Sequence, residues 1–194
     1  MGPVKLISPR KHADSRGWFR ETYNESSYPR LGVRERFVQD NHSRSSPPGV
    51  LRGLHFQTPP HAQAKLVWCP RGRIWDVAVD VRRQSPTFGL WVGRELSAGN
   101  GLQLYIPVGF AHGFVTLEAD TEVIYKVSNL YAPQCEDGVV WNDETLAIAW
   151  PMGGDAPPLV SEKDARLPLL ADFISPFAYD GEPLCPLDSE PLTP

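Results

Sequence analysis

No stretch of the sequence approaches the roughly 20 apolar residues that a membrane-spanning helix needs. The opening MGPVKLISPRKHADSRGWF also lacks the apolar core of a secretory leader. Cysteine is scarce: Cys69, Cys135 and Cys185 are an odd number, far apart, with no CxxC pair. That spacing excludes a disulfide scaffold or zinc knuckle and points to unpaired thiols in a reducing cytoplasm. Charge of one sign is not concentrated anywhere. Lys and Arg total 19 against 23 Asp and Glu, for a net −4, and the two signs are interspersed. Without a basic stripe, a nucleic-acid partner is not expected, and neither is a membrane one. Familiar chemical signatures are missing as well: no GxxxxGK[ST], GxGxxG, GxSxG or HExxH occurs. No window of twelve residues carries a sustained helical stripe.

What is present is punctuation. Twenty prolines and sixteen glycines break 194 residues into short pieces, the rhythm of an all-β sandwich or barrel. The clearest strand is RIWDVAVDV, Arg73 to Val81, in which Trp75, Val77, Val79 and Val81 alternate with Ile74, Asp76, Ala78 and Asp80. Further strands are expected over 65–69, 89–96, 101–106, 113–117 and 121–127, separated by turns such as Pro70-Arg71-Gly72 and SAGNG. A short helix is expected near 24–31, and Ser161-Glu162-Lys163-Asp164 reads as a capped helical turn. From Leu167 the chain is proline-rich with few apolar anchors, which suggests an extended arm over 167–194. With no linker or repeat, residues 1–194 read as one domain of the jelly-roll kind.

The segment from Gly101 through Pro107 and Gly109 to His112 has the form G-x5-P-x-G-x2-H and resembles the second motif of the cupin superfamily, small β-barrels that often hold a metal. The first motif should supply H-x-H and a glutamate. Here the corresponding stretch is HFQTPP, beginning at His55, with neither. Two histidines without a carboxylate make a poor cage, so no metal is expected. A barrel lined by His55, His112, Arg52, Lys65 and tyrosines reads instead as an acid–base site with cations to hold an anion and an enolate-like intermediate. There is a parity problem. In a regular strand Arg52 and His55 face opposite sides, so if both line one cavity, Gly53 must carry a bulge or sharp twist.

Taken in order, FVQDNHSRS, VLRGLHFQTPPHAQAKLV, GRIWDVAVDVRRQSPTFG, LYIPVGFAHGF, IYKVSNLYAP and LVSEKDARLP resemble dTDP-4-dehydrorhamnose 3,5-epimerase and its close relatives over roughly Val4 to Leu169. The resemblance implies an enzyme without metal or redox cofactor that inverts carbons flanking the 4-keto group of a dTDP-linked 4-keto-6-deoxyhexose. His55 would be the base, Asp164 its orienting partner, Lys65 the enolate stabiliser and Tyr125 the acid on the opposite face. Arg16, Glu21, Gln39, Asn41, Arg52, His112, Glu136 and Lys163 match positions that hold sugar, diphosphate or nucleotide. Phe19 and Tyr131 match aromatic positions near base or sugar. The family also implies a homodimer in which an N-terminal strand joins the partner's sheet. Plain structural roles stand beside these: helix-start chemistry for Asp164, a core hydroxyl for Tyr125, and surface charges for Glu136 and Lys163. His12, His42 and His61 sit in polar or proline-flanked segments and are expected to do no chemistry. The pair Leu130-Tyr131 stands where relatives often carry two tyrosines, which bears on nucleotide preference. Epimerisation at only one carbon, a non-catalytic nucleotide-sugar binder, and a metal-dependent cupin are the competing readings.

Overall fold

The computed structural model describes residues 2–153, 156–188 and 190–194. Its strands are β1 (Lys5–Ile7), β2 (Lys11–Asp14), β3 (Gly17–Arg20), β4 (Gln39–Ser45), β5 (Leu51–Gln57) and β6 (Lys65–Arg71). There follow β7 (Arg73–Asp80), β8 (Trp91–Ser97), β9 (Gln103–Ile106), β10 (Phe110–Thr116), β11 (Thr121–Val127) and β12 (Glu136–Gly138). Two five-stranded sheets, ordered β1-β9-β6-β11-β4 and β12-β5-β10-β7-β8, face each other, and β2–β3 form a separate hairpin. All the paired strands run antiparallel. This is the expected all-β, cupin-type jelly roll. Among the described residues the helical segments are short 3₁₀ turns, including Tyr28–Leu31 and Asp164–Arg166. The first replaces the helix expected near 24–31, where Pro29 and Gly32, the latter at φ 83°, leave room for a single turn.

Side chains at period two fill the space between the sheets: Val67 and Cys69 from β6, Ile74 and Ala78 from β7, Leu104 and Ile106 from β9, Phe110 and Phe114 from β10, Val123 from β11. The alternation in RIWDVAVDV separates two buried faces, not a buried from a wet one. Val77 and Val79 point outward, yet they pack with Leu54, Phe56, Ala111, Leu170 and Phe177 in a second cluster. This corrects the expectation of a poorly anchored C-terminal arm. Leu170, Ser175, Phe177 and Leu184 are buried. Phe177 meets Phe56 edge-on at 5.4 Å. Asp180 pairs at 2.7 Å with Arg82, which is itself locked by Asp80. Because these anchors are spaced singly among prolines, they form no periodic pattern that a sequence window would register.

A single distortion interrupts the β5–β10 ladder. His112 of β10 pairs with His55, but Phe114 pairs with Arg52, so two residues of β10 span three of β5. Positions 112 and 114 share a face, and therefore Arg52 and His55 do too. The bulge falls at Gly53, as parity requires. Its φ is 132°, and a Cβ there would lie 2.5 Å from Gly113 Cα and 2.9 Å from the His112 carbonyl oxygen. Only glycine fits.

Candidate active site

At one end of the space between the sheets the apolar packing stops and a cavity of about 480 Å³ opens. Arg52, His55, Lys65, His112, Tyr125, Glu136 and Asp164 line it, together with an apolar wall from Leu51, Phe114, Leu159 and Val160. An adjoining space of about 370 Å³ shares His55, Lys65, Tyr125 and Glu136 and adds Gln39, Asn41 and Tyr131.

The strands deliver these groups by simple periodicity. Lys65 is on the inward face of β6, in phase with Val67 and Cys69, where that face leaves the core for the cavity. Tyr125 follows Val123 inward on β11, and Gln39 and Asn41 are in the same phase on the neighbouring edge strand β4. Asp164 comes from far along the chain. Residues 159–161 run beside the start of β5, with Leu51 N–H donating to the Leu159 carbonyl at 2.9 Å. Ser161 Oγ then accepts the Asp164 N–H at 3.1 Å and begins the 3₁₀ turn.

Asp164 Oδ1 lies 2.8 Å from His55 Nε2, and its Oδ2 accepts the Gly53 N–H at 3.2 Å. The carboxylate therefore satisfies the amide released by the bulge and fixes the imidazole at the same time. An ionised carboxylate only accepts, so the network assigns the proton to Nε2 and leaves Nδ1 as the basic nitrogen. Burial pushes the Asp164 carboxyl up, but the bonds from His55 and Gly53 together with the His55 charge outweigh it and hold the group below the usual carboxylate range. Across the cavity, burial raises the Tyr125 hydroxyl, partly opposed by the Arg52 charge, so it is protonated at neutral pH. Lys65 donates to the His55 carbonyl oxygen at 3.2 Å. Burial pushes its ammonium down to about 8, and the charges of Asp76 and Glu136 limit the fall.

His112 is buried with its Nε2 2.7 Å from Asp76 Oδ1, and burial lowers its basicity despite that carboxylate. At the rim, Glu136 Oε2 receives both the Tyr131 hydroxyl at 2.7 Å and Lys163 Nζ at 2.5 Å. Gln39 Nε2 donates to Asn41 Oδ1 at 2.9 Å, and its Oε1 accepts the Tyr131 N–H at 3.0 Å. Glu136 and Lys163 are thus a rim pair, not two unrelated surface charges.

Three expected site residues are elsewhere. Arg16 and Phe19 line a separate surface hollow on the β2–β3 hairpin that shares no residue with the cavity, and Glu21 is exposed just beyond β3. Phe19 is 70% exposed and Trp18 57%. Arg16 folds back on Asp14 at 2.6 Å. Sequence reasoning missed Asp76, an acid at an inward position of an apolar strand; that misplaced charge was the signal available. His42 lies on the opposite face of β4 and bonds Glu122 at 2.9 Å, outside the cavity. Among the described residues no three His, Cys, Asp or Glu side chains are grouped as a metal cage.

Comparison with known proteins gives a consistent picture. The profile of the family described as dTDP-4-dehydrorhamnose 3,5-epimerase matches residues 2–172. The dTDP-4-dehydrorhamnose 3,5-epimerase of Salmonella typhimurium is 52% identical over 168 residues, covering 86% of this chain and 90% of the relative. A crystal structure of the Bacillus anthracis dTDP-4-dehydrorhamnose 3,5-epimerase with TDP and PPi bound is 50% identical and superposes with a TM-score of 0.82, covering 86% of this chain and 94% of that one. The Legionella pneumophila dTDP-6-deoxy-D-glucose-3,5-epimerase, in complex with dTDP-4-keto-L-rhamnose, gives 44% identity and a TM-score of 0.86 over 92% of this chain and 94% of that one. A jelly roll with a histidine–aspartate pair facing a tyrosine across its open end, matched in sequence along nearly its whole length, leaves one assignment: this chain belongs to the dTDP-4-dehydrorhamnose 3,5-epimerase family of isomerases.

Proposed function

We propose that the cavity inverts C3 and C5 of dTDP-4-dehydro-6-deoxy-D-glucose, yielding dTDP-4-dehydro-L-rhamnose. The observation that carries this is the placement of base and acid on opposing sheets. His55 belongs to β5 and Tyr125 to β11, and both line one cavity. A proton on carbon next to a ketone is acidic because the resulting charge moves to oxygen. His55 Nδ1 takes the proton from one face, Lys65 stabilises the enolate oxygen, and Tyr125 returns a proton from the other. The C–H bond breaks and re-forms with inverted geometry; His55 then gives its proton to solvent and Tyr125 regains one before the next inversion, and with no electron gained or lost neither metal nor redox cofactor is required. A positioned proton transfer of this type contributes about 10²–10⁴-fold in rate. Arg52, His112 and Lys163, with the polar groups of Gln39, Asn41 and Glu136, hold the sugar and diphosphate, and Tyr131 offers a face to the nucleotide base.

The full site takes shape in a homodimer. Arg16, Phe19 and Glu21 come from the partner's N-terminal segment, an arrangement supported by the aromatic β2–β3 hairpin standing clear of its own cavity. The edge strand β4 beside the cavity offers a place for added pairing. The enzyme works in the cytoplasm, in keeping with its free cysteines.

Incubation with the 4-keto sugar nucleotide in D₂O, followed by NMR, tests this function. Deuterium at both C3 and C5 with L-configured product is expected. Exchange at one carbon indicates a single-site epimerase, and no exchange at either refutes the assignment.

A further inference from the structure

The proton transfers leave a buried charge beside the cavity unused. Asp76 faces inward on β7 between Ile74 and Ala78, fully shielded from solvent, behind the residues that line the cavity. Its Oδ1 is engaged by His112, while Oδ2 has no hydrogen-bond partner among the described residues. A carboxylate with an open oxygen in an apolar interior is costly unless a positive charge lies close. Arg94 of β8 is its cross-strand partner, and the other charged and titratable groups of this interior are Cys69 and Lys65 from β6, His112 from β10, His55 and Arg52 from β5, Tyr125 from β11 and Glu136 from β12. Besides the bonded His112, Lys65 draws on this carboxylate: Asp76 is the largest of the charges that sustain its ammonium.

We propose that Asp76 is a positioning residue for the reaction, holding His112 as its Nε2–H tautomer and supplying the counter-charge behind Lys65. The inference rests on the epimerase reading of the cavity. Enolate stabilisation needs an ammonium, and a lysine in a closing, water-poor cavity tends to lose its proton. Asp76 opposes that loss without touching substrate. The same carboxylate accepts from His112 Nε2, so the neutral ring keeps Nδ1 as an acceptor suited to a sugar hydroxyl. One buried anion thereby sets the state of two neighbours on opposite sheets.

The test is the pH profile of kcat for Asp76→Asn, which keeps the shape and removes the charge. In the wild type the alkaline limb should fall at about 8, where burial places the Lys65 ammonium. In the variant it should move down by about one to three pH units, lowering the rate at pH 8 about fivefold or more. In a Lys65→Arg background, whose guanidinium keeps its proton, that limb should be absent and Asp76→Asn should not bring one back. An unmoved limb and a rate within about twofold of wild type overturn the proposal. Should the variant fail to fold, ¹⁵N NMR of the wild type decides: a protonated Nε2 and bare Nδ1 on His112 support it, and the opposite tautomer overturns it. Failure of the epimerase reading shows separately, as wild-type protein that exchanges nothing.

Discussion

Replacing Asp164 by asparagine changes one atom and should nearly abolish catalysis. Asp164 makes two bonds in the site, accepting from Gly53 N–H through Oδ2 and from His55 Nε2 through Oδ1. The Gly53 amide belongs to a bulge that cannot rotate away, since its neighbours already crowd Gly113. An asparagine must therefore turn its oxygen to Gly53 and its NH₂ to His55. The imidazole must then accept at Nε2 and carry its proton on Nδ1, the nitrogen that should remove the substrate proton. The variant keeps the ring in place but in the wrong tautomer, so the loss of kcat should approach the whole contribution of a positioned base, about 10²–10⁴-fold. Binding should change little, because Arg52, Lys163 and the amides of Gln39 and Asn41 are untouched. Deuterium uptake at C3 and C5, followed by NMR at saturating sugar nucleotide, measures the effect. Thermal unfolding confirms that the variant is folded. Exchange within about threefold of wild type would show that the carboxylate does not set the tautomer, and the proposed base chemistry would fall with it.

Tyr125→Phe should suppress inversion while leaving measurable deuterium exchange, because abstraction at His55 survives the loss of the far-side acid; normal yields of L-configured product would refute the acid assignment. Activity should decline as pH rises through about 8, the point at which Lys65 loses its charge, and a flat profile to about pH 9.5 would contradict the enolate role. Gly53→Ala should cost about 1–3 kcal/mol of stability by forcing φ 132° on a residue with a Cβ, and should impair both catalysis and binding, as read from kcat and KM together. Phe177→Ala should destabilise the fold by about 3–5 kcal/mol in denaturant titration, because the arm is packed into the outer cluster. The Asp80 and Asp164 carboxyls are both depressed in the folded chain, burial being outweighed by their bonded partners. The folded state thus binds fewer protons than the unfolded one: their stabilisation is complete above the ordinary carboxylate range, about pH 4–5, and is lost on acidification toward their folded values.

Much of the scaffold was legible because strands announce themselves by alternation and glycine–proline turns. Thr121–Val127 agrees to the residue, and Arg73–Asp80 to one position. The bulge at Gly53 could also be inferred, since two polar side chains of opposite parity were asked to share a cavity. Other features could not be read locally. Asp164 lies 109 residues from His55, and no spacing rule connects them; only the resemblance to a family did. The arm carries isolated apolar anchors with distant partners: Leu170 and Phe177 pack on the outward valines and phenylalanine, and Leu184 joins the inner core. Arg16, Phe19 and Glu21 matched family positions by sequence, but a single chain gives them nothing in the cavity to touch. Asp76 was visible as a charge in an apolar strand, yet its partner His112 is supplied by tertiary pairing of β10 with β7.

His55 and His112 sit opposite each other in the β5–β10 register, and each presents Nε2 to a carboxylate at nearly the same distance, 2.8 and 2.7 Å. The chemistry of the two pairs is the same, so their different roles must come from surroundings. His55 has 26% of its side chain exposed toward the cavity and an aspartate tied to the backbone through Gly53, which suits a ring that must gain and release a proton without moving. His112 is 7% exposed, and its aspartate is wholly buried. A charge gained there would be poorly solvated, so the ring stays neutral, as the proposed acceptor role requires. The bulge at Gly53 creates this asymmetry: by inserting one residue it turns Arg52 inward beside His55 and frees the amide that holds Asp164. Without it, β5 would present His55 with neither the neighbouring cation nor a place for its carboxylate to anchor.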